Sequence, residues 1–153
     1  MTTQTTIRER LKWEITPERY QQIRRLWIKH SIAEDSRDLE GLISTLSPDC
    51  VYQIMPTGQR WEGHDGARAF YTSFLGAFPD VHFDLAEIVI GPQGVIEVAD
   101  MTGTHLGEWA GIAPTGKPVR LQIIIHFPWD PEHEKFAGEQ IWFDRLALQE
   151  QGV

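Results

Sequence analysis

The chain of 153 residues has little of what marks several large classes of protein. Its single cysteine, Cys50, cannot close a disulfide within the chain, and there is no Cys-x-x-Cys pair for zinc. Basic residues are also few, since 14 lysines and arginines stand against 22 aspartates and glutamates, for a formal net charge of -8. Because phosphate backbones are bound mainly by lysine and arginine, this balance argues against a nucleic-acid partner.

Long hydrophobic runs are missing as well. No uninterrupted apolar stretch approaches the roughly 20 residues of a membrane span, and residues 1–10 lack the apolar core of a signal peptide. We therefore expect a cytoplasmic protein with no membrane partner. The hydrophobic content of 41% and the six tryptophans are typical of a folded core. We expect one domain, residues 16–153, after an N-terminal extension, residues 1–15.

No cofactor motif is complete. Residues 111–117 match the start of a phosphate-binding P-loop, but Pro118 stands where the motif requires a Mg²⁺-binding serine or threonine. The six histidines include no His-x-x-x-His pair. We expect neither a cofactor nor a metal ion.

The first half of the chain carries helical patterns. Thr16 is a candidate N-cap before Pro17, and apolar residues spaced by three and four predict a helix from there to about Asp35. A second, short helix follows, and a third is predicted to end at Pro79. Between the second and third helices, residues 50–55 are predicted to form a strand.

From Val81 onward the hydrophobic period changes to two. Four strands are predicted, at residues 81–90, 95–106, 119–129 and 135–148. Their short connections favour antiparallel neighbours, because parallel neighbours need long crossovers. The sequence therefore predicts an α+β fold, in which three helices pack on a strongly curved, mostly antiparallel sheet around a conical apolar interior.

This order of elements, together with several local motifs, resembles the SnoaL-like polyketide cyclases of the NTF2-like superfamily. The motifs are Gly63 with residues 67–74, segment 77–80 (Ala-Phe-Pro-Asp), segment 103–107, the Pro-Thr-Gly-Lys turn at 114–117, and a late strand ending at Asp144. They cover residues 17–153 in the family's order. The resemblance implies a conical barrel with a ligand cavity, a homodimer formed through the outer face of the sheet, and a cofactor-independent lyase or isomerase.

Asp100 lies inside a long alternating segment and is the first candidate for an acid or base. The residues of its parity are a half-apolar set that suits a cavity wall, namely Ile96, Val98, Thr102 and Thr104. Glu97 would then face away from the cavity. An enclosed Asp100 would have a raised pKa and could exchange protons near neutral pH. The alternative is a paired carboxylate without chemistry.

The last predicted strand departs from the family's pattern. The resemblance implies an acid–base aspartate three residues before Asp144, where this chain has Ile141. Another carboxylate must then act, and either Glu139, two residues earlier on the same face, or Asp100 can supply it. The alternative is that the cyclase chemistry has been lost and the protein is a binding module for an apolar metabolite.

Two further groups are expected to assist. Tyr52 can donate a hydrogen bond to a developing enolate, and His105 can act as a proton shuttle or else bond the loop that follows it. The segment around Tyr52 is also similar to limonene-type epoxide hydrolases. Of that family's Asp, Arg, Asp trio only Asp100 finds a match, since Val98 and Ile141 occupy the other two positions. Epoxide hydrolysis is therefore the second alternative.

The expected ligand is a small, largely apolar carbonyl compound that can enolise. The expected reaction is proton abstraction next to the carbonyl, followed by intramolecular aldol closure or isomerisation. The residues expected to contact this ligand are Tyr20, Trp27, Phe74, Trp109, Leu121, Ile123, Ile141 and Phe143. His126 is instead expected on the outer face of the sheet with Gln122 and Ile124, because it shares their parity.

Overall fold

The computed structural model describes residues 5–153, so the first four residues of the expected N-terminal extension lie outside the described part. The described helices are α1 (Ile7–Arg10), α2 (Pro17–Asp35), α3 (Leu39–Ile43), α4 (Gly63–Ala77) and α5 (Arg145–Glu150). The strands are β1 (Leu46–Ile54), β2 (Gln59–Glu62), β3 (His82–Gly91), β4 (Gly94–Thr104), β5 (Pro118–Asp130) and β6 (Lys135–Phe143). No helix in this part of the chain is long and apolar enough to cross a bilayer.

The six strands form one curved, unclosed sheet in the order β2-β1-β6-β5-β4-β3. All neighbours are antiparallel except β1 and β6, which run parallel because the chain returns to β6 only after the whole β3–β5 meander. The predicted α+β fold with a mostly antiparallel sheet is confirmed. The predicted number of three helices is too low, since α1 and α5 are also present.

Most element boundaries follow the local signals, but strand β2 is not among the predicted strands and two boundaries differ clearly. The Thr16 side chain accepts a hydrogen bond from the Arg19 amide at 3.1 Å, which starts α2 where the sequence predicts. Strand β1, in contrast, begins four residues earlier than predicted. Residues 145–148 are helical and do not extend β6, because the Asp144 side chain caps α5 by accepting from the Ala147 amide at 3.1 Å.

The alternation of β4 and β5 decides which side chains enter the barrel. The buried residues of these two strands are Gly94, Val95, Glu97, Ala99 and Met101 on β4, and Val119, Leu121, Ile123, Ile125, Phe127 and Trp129 on β5. The predicted inward orientation of Asp100 is therefore wrong, and Glu97 faces inward instead. The parity was misread because the outer face of this sheet is itself half apolar. The predicted outward position of Gln122, Ile124 and His126 is confirmed.

Strands β1 and β6 approach each other most closely at Gly138. This glycine has φ +109°, and a Cβ atom added there would lie 1.9 Å from the Val51 carbonyl oxygen. Only glycine fits such a conformation and such a contact. The close approach fixes the position of the next residue, Glu139, whose side chain is buried in the barrel.

We expect Gly138→Ala to lower the free energy of unfolding by about 3 kcal/mol or more, because the methyl group would overlap the β1 backbone. Urea denaturation followed by tryptophan fluorescence measures this change. Gly76→Ala is the matched control, since a Cβ there meets nothing within 4 Å and the site is helical. It should raise stability by about 0.5–1 kcal/mol. Equal effects of the two substitutions would contradict the close approach at Gly138.

Candidate functional site

Five polar side chains meet inside the barrel and form a hydrogen-bonded cluster. They are His30 of α2, Thr45 just before β1, Tyr52 of β1, Tyr71 of α4 and Glu139 of β6, and each is at most 3% exposed. The sequence analysis had singled out Tyr52 and Glu139, and the structure brings these two into one cluster. His30 and Tyr71 are members that it did not assign to chemistry.

Glu139 accepts the hydrogen bonds of this cluster through one oxygen. The Tyr71 hydroxyl donates to Glu139 Oε2, and His30 Nε2 lies 3.3 Å from the same atom. The Tyr52 hydroxyl lies 2.7 Å from that of Tyr71. A phenol has a single proton to donate, so Tyr52 donates to Tyr71 while Tyr71 donates to the carboxylate. Within residues 5–153 no hydrogen bond engages Glu139 Oε1.

The tautomer of His30 follows from its other partner. His30 Nδ1 lies 2.7 Å from the Thr45 hydroxyl, which itself donates to the Leu42 carbonyl oxygen at 2.7 Å. Thr45 has no second proton, so it accepts from Nδ1–H. Nε2 then lies next to Tyr71 Oη at 3.0 Å and to Glu139.

Both tyrosines stay protonated in this environment. Burial, with the charge of Glu139 as the next cause, raises the pKa of Tyr52 and Tyr71 well above its ordinary value. Each hydroxyl is therefore a hydrogen-bond donor over the whole physiological pH range. The tyrosines hold the carboxylate in place, and neither can serve as a base.

Glu139 also lines a small enclosed cavity of about 10 Å³, which has room for roughly one water molecule. The other lining residues are Glu34, Phe70, Phe74, Phe83, Trp109, Ile123, Ile125 and Ile141. Apart from the two glutamates the lining is apolar, and aromatic rings fill most of the interior. The Trp109 ring centroid lies 4.9 Å from that of Phe74 and 5.5 Å from that of Phe70. A ligand ring fits only if these side chains move apart.

Two further carboxyl groups, those of Glu34 and Glu97, belong to the same region. Glu97 is 6% exposed, and burial together with the charge of Glu139 raises its pKa to about 8. Burial, then the charges of Glu139 and Glu97, also raises the pKa of Glu34 well above its usual value. A raised pKa favours the neutral carboxylic acid in both groups, and Glu97 is mostly protonated at pH 7.

Sequence reasoning missed these two glutamates for different reasons. Glu97 was missed because the inward face of β4 was assigned incorrectly, although Glu97 shares its face with Ala99 and Met101. Glu34 lies four residues after His30 and seven after Trp27, on the same face of α2. That spacing was the available signal.

Asp100 takes no part in this cluster. Its side chain is 40% exposed on the outer face of the sheet, and Arg120 Nη2 of β5 lies 2.9 Å from its Oδ2. Asp100 is thus a paired surface carboxylate, which is the alternative considered for it from the sequence. The ion pair is exposed and solvent screens it.

His105 is also separate from the cavity that Glu139 lines. It is 1% exposed, and its ring stacks on Phe78 with centroids 5.2 Å apart. Its backbone N–H donates to the Lys117 carbonyl, and its own carbonyl accepts from the Gly116 amide. Burial lowers the pKa of His105, which favours a neutral ring. These contacts agree with the alternative interpretation, in which His105 anchors the loop that follows it.

The eight expected ligand contacts divide into four groups. Four of them line the cavity of Glu139, namely Phe74, Trp109, Ile123 and Ile141. Trp27 lines an adjoining pocket. Leu121 and Phe143 border a groove beside α5, and Tyr20, 39% exposed, borders neither the cavity nor this pocket.

Among residues 5–153, one group of side chains has the spacing of metal ligands. Single ligand atoms of Asp49, Asp130 and His133 lie within 4.8 Å of one another at the surface. His133 Nδ1 is 2.8 Å from Asp130 Oδ2, and this hydrogen bond raises the pKa of His133. The bond favours an imidazolium–carboxylate pair over a neutral imidazole that could bind a metal ion.

Comparison with known proteins agrees with this architecture. Residues 19–152 match the sequence model of the SnoaL-like polyketide cyclases. No curated protein gives a significant match. A candidate SnoaL-like polyketide cyclase from Jannaschia sp. CCS1 has a TM-score of 0.72 and 20% identity, covering 90% of this chain and 95% of that one.

Two other solved structures share the fold. The candidate hydroxylase AclR from Streptomyces galilaeus has a TM-score of 0.68 and 22% identity, with 87% of this chain and 82% of that one covered. TerC, co-crystallised with polyporic acid, has a TM-score of 0.70 and 18% identity, with 86% of this chain and 98% of that one covered. At such identities the likeness shows the fold alone.

We expect Glu97→Gln to stabilise the protein at alkaline pH. The carboxyl pKa rises from 4.5, its ordinary value, to about 8 in the folded protein. The folded state thus binds the proton more tightly, and the free energy of unfolding falls as pH rises between these values. Glutamine has no proton to lose. Relative to wild type, the variant should gain a few kcal/mol between about pH 5 and pH 9, measured by urea denaturation.

Glu87→Gln is the control for this measurement, because Glu87 is exposed on β3. Its stability relative to wild type should stay constant over the same pH range. A Glu97→Gln profile parallel to that of wild type would contradict the raised pKa of Glu97.

Proposed function

Because the chain belongs to the SnoaL-like polyketide cyclase family, we propose that it is a cofactor-independent enzyme that transfers a proton on a largely apolar, enolisable carbonyl compound. Proton abstraction is followed by intramolecular aldol closure or by isomerisation, so the activity is that of a lyase or an isomerase. The observation that carries the proposal is Glu139, a buried carboxylate that Tyr71 and His30 hold on the wall of an apolar cavity.

Glu139 is the proposed base. The hydrogen bond from Tyr71 and the contact with His30 Nε2 both engage Oε2, which leaves Oε1 for the substrate. The C–H bond next to the carbonyl breaks, its proton forms an O–H bond on Glu139, and the electron pair moves to the carbonyl oxygen. In the aldol closure, the enolate carbon then attacks a second carbonyl group of the same molecule, and the new alkoxide oxygen takes the proton from Glu139. In the isomerisation, another carbon takes that proton back. His30 Nε2 lies close enough to share that proton.

Glu34 is the proposed acid. It lines the same cavity, and its raised pKa favours the protonated form. A neutral carboxylic acid can donate a hydrogen bond to the oxygen on which negative charge develops. Tyr52 does not line the cavity, and its hydroxyl bonds Tyr71. In this proposal Tyr52 and Tyr71 are therefore positioning residues. Glu34 takes the role of oxyanion donor that the sequence predicts for Tyr52.

The proposal depends on these side chains more than on the fold. AclR and TerC, which share the fold, are respectively described as a candidate hydroxylase and crystallised with polyporic acid, and one fold regularly hosts several chemistries. We also propose that the protein forms a homodimer through the outer face of the sheet and that it is cytoplasmic. Ile124 and Trp142 of that face are 41% and 39% exposed.

We expect wild-type protein to accelerate the exchange of α-protons for deuterium in neutral cyclic β-keto esters and enones, followed by NMR in deuterated water. Glu139→Gln keeps the size of the side chain but removes the base. It should lower the exchange rate by about 10² to 10⁴-fold. Asp100→Asn is the matched variant, because that carboxyl lies outside the barrel, and it should exchange at the wild-type rate.

The other possible results would each indicate a different base or a different function. Exchange that is lost in Asp100→Asn and kept in Glu139→Gln would overturn the assignment of the base. Exchange no faster than in buffer, from folded wild-type protein across the panel, would contradict proton transfer and favour a binding module. Diol formation from a simple epoxide would instead indicate epoxide hydrolysis.

A further inference from the structure

The connection between β4 and β5, residues 105–117, carries a tight turn that packs against the interior of the barrel. The Trp109 N–H donates to the Ile112 carbonyl at 3.1 Å, and the Ile112 N–H donates to the Trp109 carbonyl at 2.8 Å. Ala110 and Gly111 between them have φ +51° and +74°, which is the pattern of a type I′ turn. We call these four residues, 109–112, the Trp109 turn. Trp109, Ala110 and Ile112 are all buried.

Trp109 is the part of the cavity wall whose backbone is least restrained. It is the one lining residue of the Glu139 cavity that lies outside the described helices and strands. Every other lining residue has its backbone held in a helix or in the sheet. Segments with few backbone hydrogen bonds open at the lowest cost in free energy. Because a cavity of about 10 Å³ admits no ring, we expect it to open at Trp109.

The ends of the connection are fixed, so the Trp109 turn can move while they stay in place. The backbone of His105 pairs with the far end of the connection, and the Leu106 N–H donates to the Ala77 carbonyl of α4 at 2.8 Å. Gly107 lies so close to α4 that an added Cβ atom would be 3.0 Å from Ala77 Cα. In residues 108–115, by contrast, the pair within the turn is the only backbone–backbone hydrogen bonding that the described chain forms.

One side chain from outside the connection holds the Trp109 turn in place. Arg145, the first residue of α5, donates from Nε to the Ala110 carbonyl at 2.8 Å. Within residues 5–153, no other side chain outside the connection hydrogen-bonds to the backbone of residues 108–115. Positive φ is uncommon for a residue with a Cβ atom, so the turn is strained at Ala110. The closed turn therefore depends on the bond from Arg145.

We propose that the Trp109 turn is the gate of the cavity of Glu139, and that Arg145 is the positioning residue that holds this gate closed. When the turn moves outward, the indole ring leaves the cavity and frees a space of its own shape, which is flat and two rings wide. A flat ring of the ligand then takes its place against Phe70 and Phe74, which the indole ring contacts in the closed state. Trp109 thereby determines which ligands fit.

The shape of this space narrows the substrate class of the proposed function. The substrate becomes an enolisable carbonyl compound with a flat portion of one or two rings. This conclusion about the substrate rests on the proposed function. Entry of a flat ring, in contrast, requires the gate alone, with or without proton transfer.

The role of Arg145 is tested by native-state hydrogen exchange, measured for each amide by NMR. Arg145→Met keeps a long side chain but removes the donor to the turn. We expect the amides of Trp109 and Ile112 to exchange at least tenfold faster, relative to the amide of Ile125 in the sheet, than they do in wild type. Arg60→Met, which removes an exposed arginine from β2, is the matched control and should leave this ratio unchanged.

Opening by a ligand is tested with 2-naphthol, a flat compound of two rings, and with protein that contains 5-fluorotryptophan. Trp109→Phe identifies the ¹⁹F signal of residue 109, which should not differ between H₂O and D₂O in the free protein because this side chain is 4% exposed. Saturating 2-naphthol should give this signal the solvent shift of an exposed ring. The signal of Trp129, equally buried but outside the cavity, should stay unchanged. 1-Adamantanol, which is not flat, should bind at least tenfold more weakly.

Equal exchange ratios in Arg145→Met and wild type would overturn the role of Arg145. Binding of 2-naphthol while Trp109 stays buried would overturn the gate and indicate entry past Phe83, from the adjoining pocket that Trp27 lines. Absence of saturable binding to the folded protein would overturn the gate as well. These failures are distinct from failure of the proposed function, because the α-proton exchange assay measures turnover and the 2-naphthol titration requires none.

Discussion

The desolvation of Glu139 is the constraint on which the interior depends. A carboxylate buried in an apolar barrel costs several kcal/mol unless hydrogen bonds and an opposite charge compensate for it. Tyr71 donates a hydrogen bond to one oxygen and His30 Nε2 lies 3.3 Å from the same atom, while Tyr52 and Thr45 orient these two side chains in turn. Because these partners come from α2, α4, β1 and the turn before β1, the cluster ties the helices to the sheet. Stability and chemistry therefore use the same contacts.

The same buried charge explains the state of the other two interior glutamates. Glu34 and Glu97 have no compensating cluster comparable to that of Glu139, and the charge of Glu139 itself opposes their ionisation. The raised pKa of Glu34 and Glu97 favours the protonated form of both groups.

Local signals in the sequence were sufficient for most of the fold. The cap at Thr16, the proline at position 17 and the change of period at Val81 each depend on neighbouring residues, and the structure has α2 and the β3–β6 meander where they indicate. The parity of β4 could not be read in this way. Both faces of β4 mix apolar and polar residues, and only pairing with β5, where Glu97 faces Ile125 and Asp100 faces Gln122, decides which face is inside.

The residues of the site also divide into those that neighbouring residues predict and those that only packing brings together. Glu139 could be predicted because it shares the face of Ile141, a relation set within one strand. Its partnership with His30 and Tyr71 could not, since these residues are separated by 109 and 68 positions along the chain and only packing brings them together. Glu34 could be predicted only in part, because helical spacing places it beside His30 but does not show how far it is buried.

The displacement of the carboxylate from position 141 to position 139 has a geometric consequence. Two residues along a strand keep the side chain on the same face but move it by roughly 7 Å along the strand axis. On β6 the carboxylate thereby leaves the level of Ile54 on β1 for that of Tyr52. In the proposed reaction, the carbon that loses its proton would shift by the same amount along the barrel. A compound shaped for a carboxylate at the level of Ile54 would then place a different carbon beside Glu139, so the proposed function implies selection by molecular length.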